Sequence, residues 1–107
     1  MPGKRNEKMA SFVKSAGAEL LETESNGEAL ITVTSCNVSP DLKNATLYIS
    51  VLPEEKENAA LGFCKRRRAK LRQALKKNLH TKVVPFVDIE LDMGEKNRRR
   101  IDELLRD

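Results

Sequence analysis

Apolar residues recur at three- and four-residue steps at the start of the chain, at two-residue steps in the middle, and at helical steps again further on. That change of period commits the sequence to helices packed on a small sheet. Met9, Phe12, Val13, Ala16 and Leu20 mark a first helix over residues 6–23, which ends at Ser25-Asn26-Gly27, where glycine suits a turn. Leu30 to Thr34 is rich in β-branched residues and reads as a strand that can continue to Val38. Ser39-Pro40-Asp41-Leu42-Lys43-Asn44 is a turn: proline fixes one dihedral angle, and Asp and Asn side chains can bond nearby backbone. Residues 45–52 form a second strand with Leu47, Ile49 and Val51 on one face. Two strands joined this closely pair antiparallel.

Pro53-Glu54-Glu55 is expected to start a helix, since proline tolerates the first turn and acidic residues complement the helix dipole. Its apolar stripe runs through Ala60, Leu61 and Cys64 and resumes at Leu71, Leu75 and Leu79, but positions 67 and 68 are both arginine. One turn of the stripe is missing, so a break or kink is expected near Arg67 to Ala69, although neither glycine nor proline is there to cause it. After Pro85, Val87, Ile89 and Leu91 alternate with Phe86, Asp88 and Glu90, a third, half-exposed strand. Asp92-Met93-Gly94-Glu95 can cap a last helix carrying Ile101, Leu104 and Leu105. The expected order is α-β-β-α-α-β-α, an α+β fold in one domain over residues 1–107, with residues 1–5 flexible.

The formal charge is only +4, and its distribution matters more. From Asn58 to Val87 there is no acidic residue, yet that stretch holds Lys65, Arg66, Arg67, Arg68, Lys70, Arg72, Lys76, Lys77 and Lys82; the rest of the chain has a net charge of −5. Runs of charge are usually solvated faces. Here no Asp or Glu lies within helical reach to offset the repulsion, which a polyanion would relieve. These nine residues are therefore the expected nucleic-acid-binding set. Arg99 and Arg100, from the cluster Arg98-Arg99-Arg100, either extend it or form a solvated face balanced by Asp102 and Glu103. An anionic membrane surface, a general RNA-coating role and a protein partner are the alternatives that such a patch leaves open.

Catalysis finds little support. His80 is the single histidine and has no recognisable Ser, Cys or Asp partner motif. Cys64, beside Lys65, continues an apolar stripe and reads as an inert core thiol; Cys36 and Cys64 form no C-x-x-C pair. Asp88, Glu90 and Asp92 read as a solvated strand edge. No phosphate-cradling glycine loop and no zinc-ligand cluster is present, so no metal and no cofactor are expected. A small RNA-processing enzyme would need a paired acid and base or a metal cluster. The amino terminus lacks an apolar signal core and no run reaches membrane-spanning length, so a cytoplasmic, reduced monomer away from membranes is expected.

The order αββααβ matches the KH domain of the second topological type, an RNA module that ordinarily clamps nucleic acid with a G-x-x-G loop. None of the five glycines forms that motif. Val38-Ser39-Pro40-Asp41-Leu42, then Ala45, then Leu47-Tyr48-Ile49-Ser50-Val51-Leu52, resembles the signature of the ribosome-binding factor A family, and Arg100-Ile101-Asp102-Glu103-Leu104-Leu105 is similar to its carboxy-terminal motif. The first helix, with Leu20-Leu21-Glu22-Thr23-Glu24, and Pro85 fit as well, so the resemblance spans nearly the whole chain. That family replaces the G-x-x-G loop by an A-x-G kink, which falls here on Arg67-Arg68-Ala69, with Arg for the first Ala and Ala for the Gly. The resemblance implies binding to the free small (30S) ribosomal subunit and assistance in late maturation and processing of 16S rRNA, especially in the cold, by binding and not by catalysis.

Overall fold

The structure, a computed structural model, describes residues 2–23, 29–79, 83–94 and 104–105. Helix α1 (Pro2–Thr23) begins a turn earlier than the apolar spacing suggests, taking in residues 2–5. Proline suits a first helical turn because its missing N–H would have no partner there. The buried line of α1 is Met9, Val13, Gly17 and Leu21, each four residues on, with Phe12, Ala16 and Leu20 partly buried beside it. Gly17 contributes no side chain to an apolar pattern, so the buried line keeps the expected Met9 and Val13 but continues through Gly17 and Leu21 where the spacing points to Ala16 and Leu20.

Strands β1 (Leu30–Val38) and β2 (Asn44–Leu52) form the antiparallel hairpin, and β3 (Phe86–Leu91) lies parallel to β2 on its other side, giving the order β1-β2-β3. The register slips between Val33 and Ser35. Ile31 and Val33 are buried before that irregularity and Val38 after it, so the extra residue turns even-numbered positions inward. It also re-aims Thr34, whose hydroxyl donates to Asp92 Oδ2 at 2.6 Å and lies 3.1 Å from the Tyr48 carbonyl. The hairpin loop closes through its own side chains. Ser39 Oγ donates to Asp41 Oδ1 at 2.6 Å, and Asp41 Oδ1 accepts the Lys43 N–H at 3.0 Å. Leu42 is thereby held at φ 63°. Asn6 of α1 donates to the Val38 and Ser39 carbonyls at 3.0 and 3.1 Å, which ties the loop to the first helix.

Residues 53–55 do not open an α-helix. Pro53 is extended, Glu54–Lys56 is a single 3-10 turn, and α2 (Glu57–Arg66) follows. Helix α3 (Arg68–Asn78) comes directly after, so the expected break is real and falls on Arg67. Helix α1 packs mainly on β1, while α2 and α3 pack on β3, and all three cover one face of the sheet. Val13, Leu21, Leu47, Ile49, Val51, Cys64, Leu71, Leu75 and Ile89 are fully excluded from solvent there. Each such side chain contributes roughly 1.5–3 kcal/mol of transfer free energy for the larger aliphatic residues. Met93–Gly94 and Leu104–Leu105 are helical; the stretch between them, with Ile101 of the expected last helix, lies outside the described residues.

Candidate nucleic-acid interface

Why the helix pair breaks at Arg67 follows from burial. Ala60 and Cys64 of α2, and Leu71 and Leu75 of α3, face the sheet. A straight helix would carry the next inward position onto an arginine. The chain instead takes one residue out of helical geometry: Arg67 sits at φ −100°, ψ 7°, its N–H bonded to the Cys64 carbonyl at 3.0 Å and its carbonyl accepting from Leu71 N–H at 2.9 Å. Because φ is negative there, the break needs no glycine.

Apart from half-buried Lys65, the described basic side chains of α2, α3 and the break divide into two groups. Arg66, Arg68, Lys70, Lys76 and Lys77 are exposed. Arg67 and Arg72 are half-buried and turned back onto aromatic rings. The Arg67 guanidinium lies 3.7 Å from the centre of the Phe63 ring, and that of Arg72 lies 4.1 Å from the centre of the Phe86 ring while reaching the Val84 carbonyl at 3.4 Å. Each keeps a buried Nε–H without a hydrogen-bond partner among the described residues. Their charge is fixed in place by packing and is not presented on a mobile side chain. Arg67 thus does not project outward with Arg66 and Arg68, because the half-turn places it over Phe63. Lys82, Arg99, Arg100 and His80 lie outside the described residues.

Alternation alone assigns Asp88 to a solvated edge, yet the fold makes it part of the site. This residue of β3 meets Arg68 Nη1 at 3.1 Å and Lys65 Nζ at 3.7 Å. No acidic residue stands near these cations in sequence; β3 brings one across from the adjoining sheet edge. The Ile89 N–H that Asp88 accepts, followed by the charges of Lys65 and Arg68, holds its carboxyl below the ordinary 3.8. Between α3 and the leading ends of β2 and β3 runs a groove of about 720 Å³, with Asn44, Thr46, Arg68, Gln73, Lys76 and Phe86 among its walls. Asn44 and Thr46 enter because β2 pairs in parallel with β3 (Asn44 opposite Phe86, Thr46 opposite Asp88), a pairing with no local signature in the sequence.

The thiols are placed away from chemistry. Cys64 is fully buried, and burial pushes its thiol up to about 11, against the opposing pull of Arg67. Cys36 is half-buried on β1, and burial raises its thiol to about 11 as well. Among the described residues no group of three or more His, Cys, Asp or Glu is placed to hold a metal ion, and no helix is long and apolar enough to cross a membrane.

The chain is similar to known proteins over most of its length. The family model for ribosome-binding factor A matches residues 5–105. Ribosome-binding factor A of Methylobacterium radiotolerans is 33% identical over 111 aligned residues, covering 99% of this chain and 78% of the relative. The crystal structure of ribosome-binding factor A from Thermus thermophilus superposes with a TM-score of 0.70 at 22% identity, covering 80% of this chain and 93% of that one. A homology model of the Thermus thermophilus protein, fitted into the cryo-EM map of a 30S–RbfA complex, superposes with a TM-score of 0.66 at 22% identity, covering 78% of this chain and 91% of that one.

Proposed function

Because the chain belongs to the ribosome-binding factor A family, we propose that it binds the free small ribosomal subunit as a cytoplasmic monomer and assists late maturation and processing of 16S rRNA through binding energy alone. The observation that carries this reading is the cationic surface of α2 and α3. Arg66, Lys70, Lys76 and Lys77 are exposed along a helix pair with no acidic residue after Glu57, so phosphate groups can approach them without meeting a like charge from the same helices. Each neutralised phosphate releases counterions, which supplies affinity without any base-specific contact. Favouring one rRNA conformation over another then requires only that the two differ in how they present phosphates to this surface. Burial raises both thiols further above neutral pH, which supports reading neither as a nucleophile.

Sucrose-gradient comigration with purified small subunits tests the proposal. The variant carrying Arg66→Glu, Lys70→Glu, Lys76→Glu and Lys77→Glu should fold, because exposed substitutions change stability little, and should remain at the top of the gradient. The corresponding Ala variant should bind more weakly at low salt and show a salt slope reduced by about 0.7 to 0.9 for each phosphate it no longer neutralises. Comigration of the folded Glu variant at undiminished affinity would sink the assignment of this surface. Cleavage of precursor rRNA by the purified chain alone would overturn the binding-only mechanism.

A further inference from the structure

Phe86 is 63% exposed, although it begins a strand whose next residue, Val87, is in the core. Its backbone is held by the start of β2: its N–H donates to the Lys43 carbonyl at 2.9 Å, and it stands opposite Asn44 in the sheet. The Arg72 guanidinium lies over the ring, 4.1 Å from its centre, and is itself bonded to the Val84 carbonyl. A large aromatic ring is thus fixed in orientation and braced by a cation on one face, yet it still presents most of its surface to solvent. It stands on the rim of the groove whose walls include Arg68, Gln73, Lys76, Asn44 and Thr46.

We propose that Phe86, braced by Arg72, is a base-stacking platform, and that the groove takes an unpaired stretch of RNA in preference to a duplex. The inference rests on the RNA-binding reading above and adds the class of RNA. An aromatic face open to solvent matches the face of a nucleobase, which a duplex hides between neighbouring pairs and a single strand can splay out. Arg68 and Lys76 lie along the same groove to meet the phosphates on either side of a stacked base. The amides of Asn44 and Gln73 and the hydroxyl of Thr46 offer donors and acceptors to its edge. Asp88, the acidic group of the groove, pairs with Lys65 as well as Arg68, so it keeps a cation when Arg68 turns to a phosphate.

The chain has no tryptophan, so Phe86→Trp in the full chain places a single fluorescent reporter on the platform. A short unstructured oligoribonucleotide and a duplex of the same length serve as probes. Phe86→Trp should have its emission quenched on binding the single strand, while the duplex leaves the emission unchanged. Phe86→Leu keeps apolar bulk and removes the aromatic face; it should lose on the order of ten-fold in affinity for the single strand, with its salt slope and its thermal unfolding unchanged. Single-strand binding that is unaffected by Phe86→Leu, or saturating binding without quenching of Phe86→Trp, overturns the platform while leaving the RNA-binding reading in place. If Phe86→Leu weakens association with subunits but not with the oligonucleotide, the ring docks protein, and the platform is equally overturned. If the original chain binds neither probe nor small subunits, the RNA-binding reading falls first and takes the platform with it.

Discussion

A Cβ added at residue 17 would lie 2.6 Å from Leu47 Cδ1, and Leu47 is fully buried in the central strand. Gly17 is therefore where α1 comes down onto the sheet, and its helical position is set by lack of room and not by backbone freedom. Gly17→Ala gains roughly 1 kcal/mol of helix propensity but overpacks the core, which typically costs about 1–3 kcal/mol. We expect a net loss, read as a lower Tm, with subunit binding retained. Asp88 decides the other residue-scale question. It engages Lys65 and Arg68, so any phosphate using those cations must displace it. Asp88→Asn should leave stability within about 1 kcal/mol, as exposed ion pairs do. It should strengthen RNA binding at low salt and steepen the salt dependence by up to about 0.9 for each phosphate contact it releases. Titrations at several salt concentrations check this; weaker binding by the Asn variant would show that Asp88 positions its partners and does not compete for them.

At the scale of elements, the α2–α3 break and the β1–β2 loop reach unusual geometry by different means. The break uses Arg67 at a negative φ. The alanine at position 69, where the family's kink carries glycine, is already inside α3. Restoring glycine with Ala69→Gly should therefore destabilise the protein by about 0.5–1 kcal/mol in urea titration, and a gain in stability would contradict the observed dihedral angles. The loop instead holds Leu42 at φ 63° through the Ser39 and Asp41 side chains. The Ser39 hydroxyl first, and the Lys43 N–H next, hold the Asp41 carboxyl below its ordinary 3.8. A carboxyl whose folded pKa is depressed stabilises the fold above its unfolded pKa and loses that contribution as pH falls through the folded value. Asp41 and Asp88 both act in this direction. Stability should be insensitive to them from neutral pH to about 5 and fall once pH drops below the ordinary 3.8. Asp41→Asn keeps an acceptor but cannot titrate, so its urea midpoint should decline less steeply in acid than that of the original chain.

At the scale of the whole molecule, the helices occupy one face of the sheet and the cations gather where α2 and α3 meet its β3 edge. How much of this is readable from the sequence depends on the range of the interactions involved. The elements rest on near neighbours: alternation marks Leu47, Ile49 and Val51 as one face of β2, and the missing apolar turn at Arg67-Arg68 locates the helix break, because burial repeats with the period of the local backbone. The basic patch is likewise a property of the sequence, since its charges lie close together along one pair of helices. Gly17 is silent in that pattern because a residue without a side chain leaves no apolar mark, although the contact it permits with Leu47 sets how closely α1 approaches the sheet. The pairing of β3 alongside β2, the neutralisation of Lys65 and Arg68 by Asp88, and the meeting of Phe86 with Arg72 join residues between 14 and 42 positions apart. Such contacts depend on the direction in which the chain returns across α2 and α3. No local propensity encodes that direction, because it is decided by which buried faces can pack together, and so the groove and its walls belong to the tertiary structure alone.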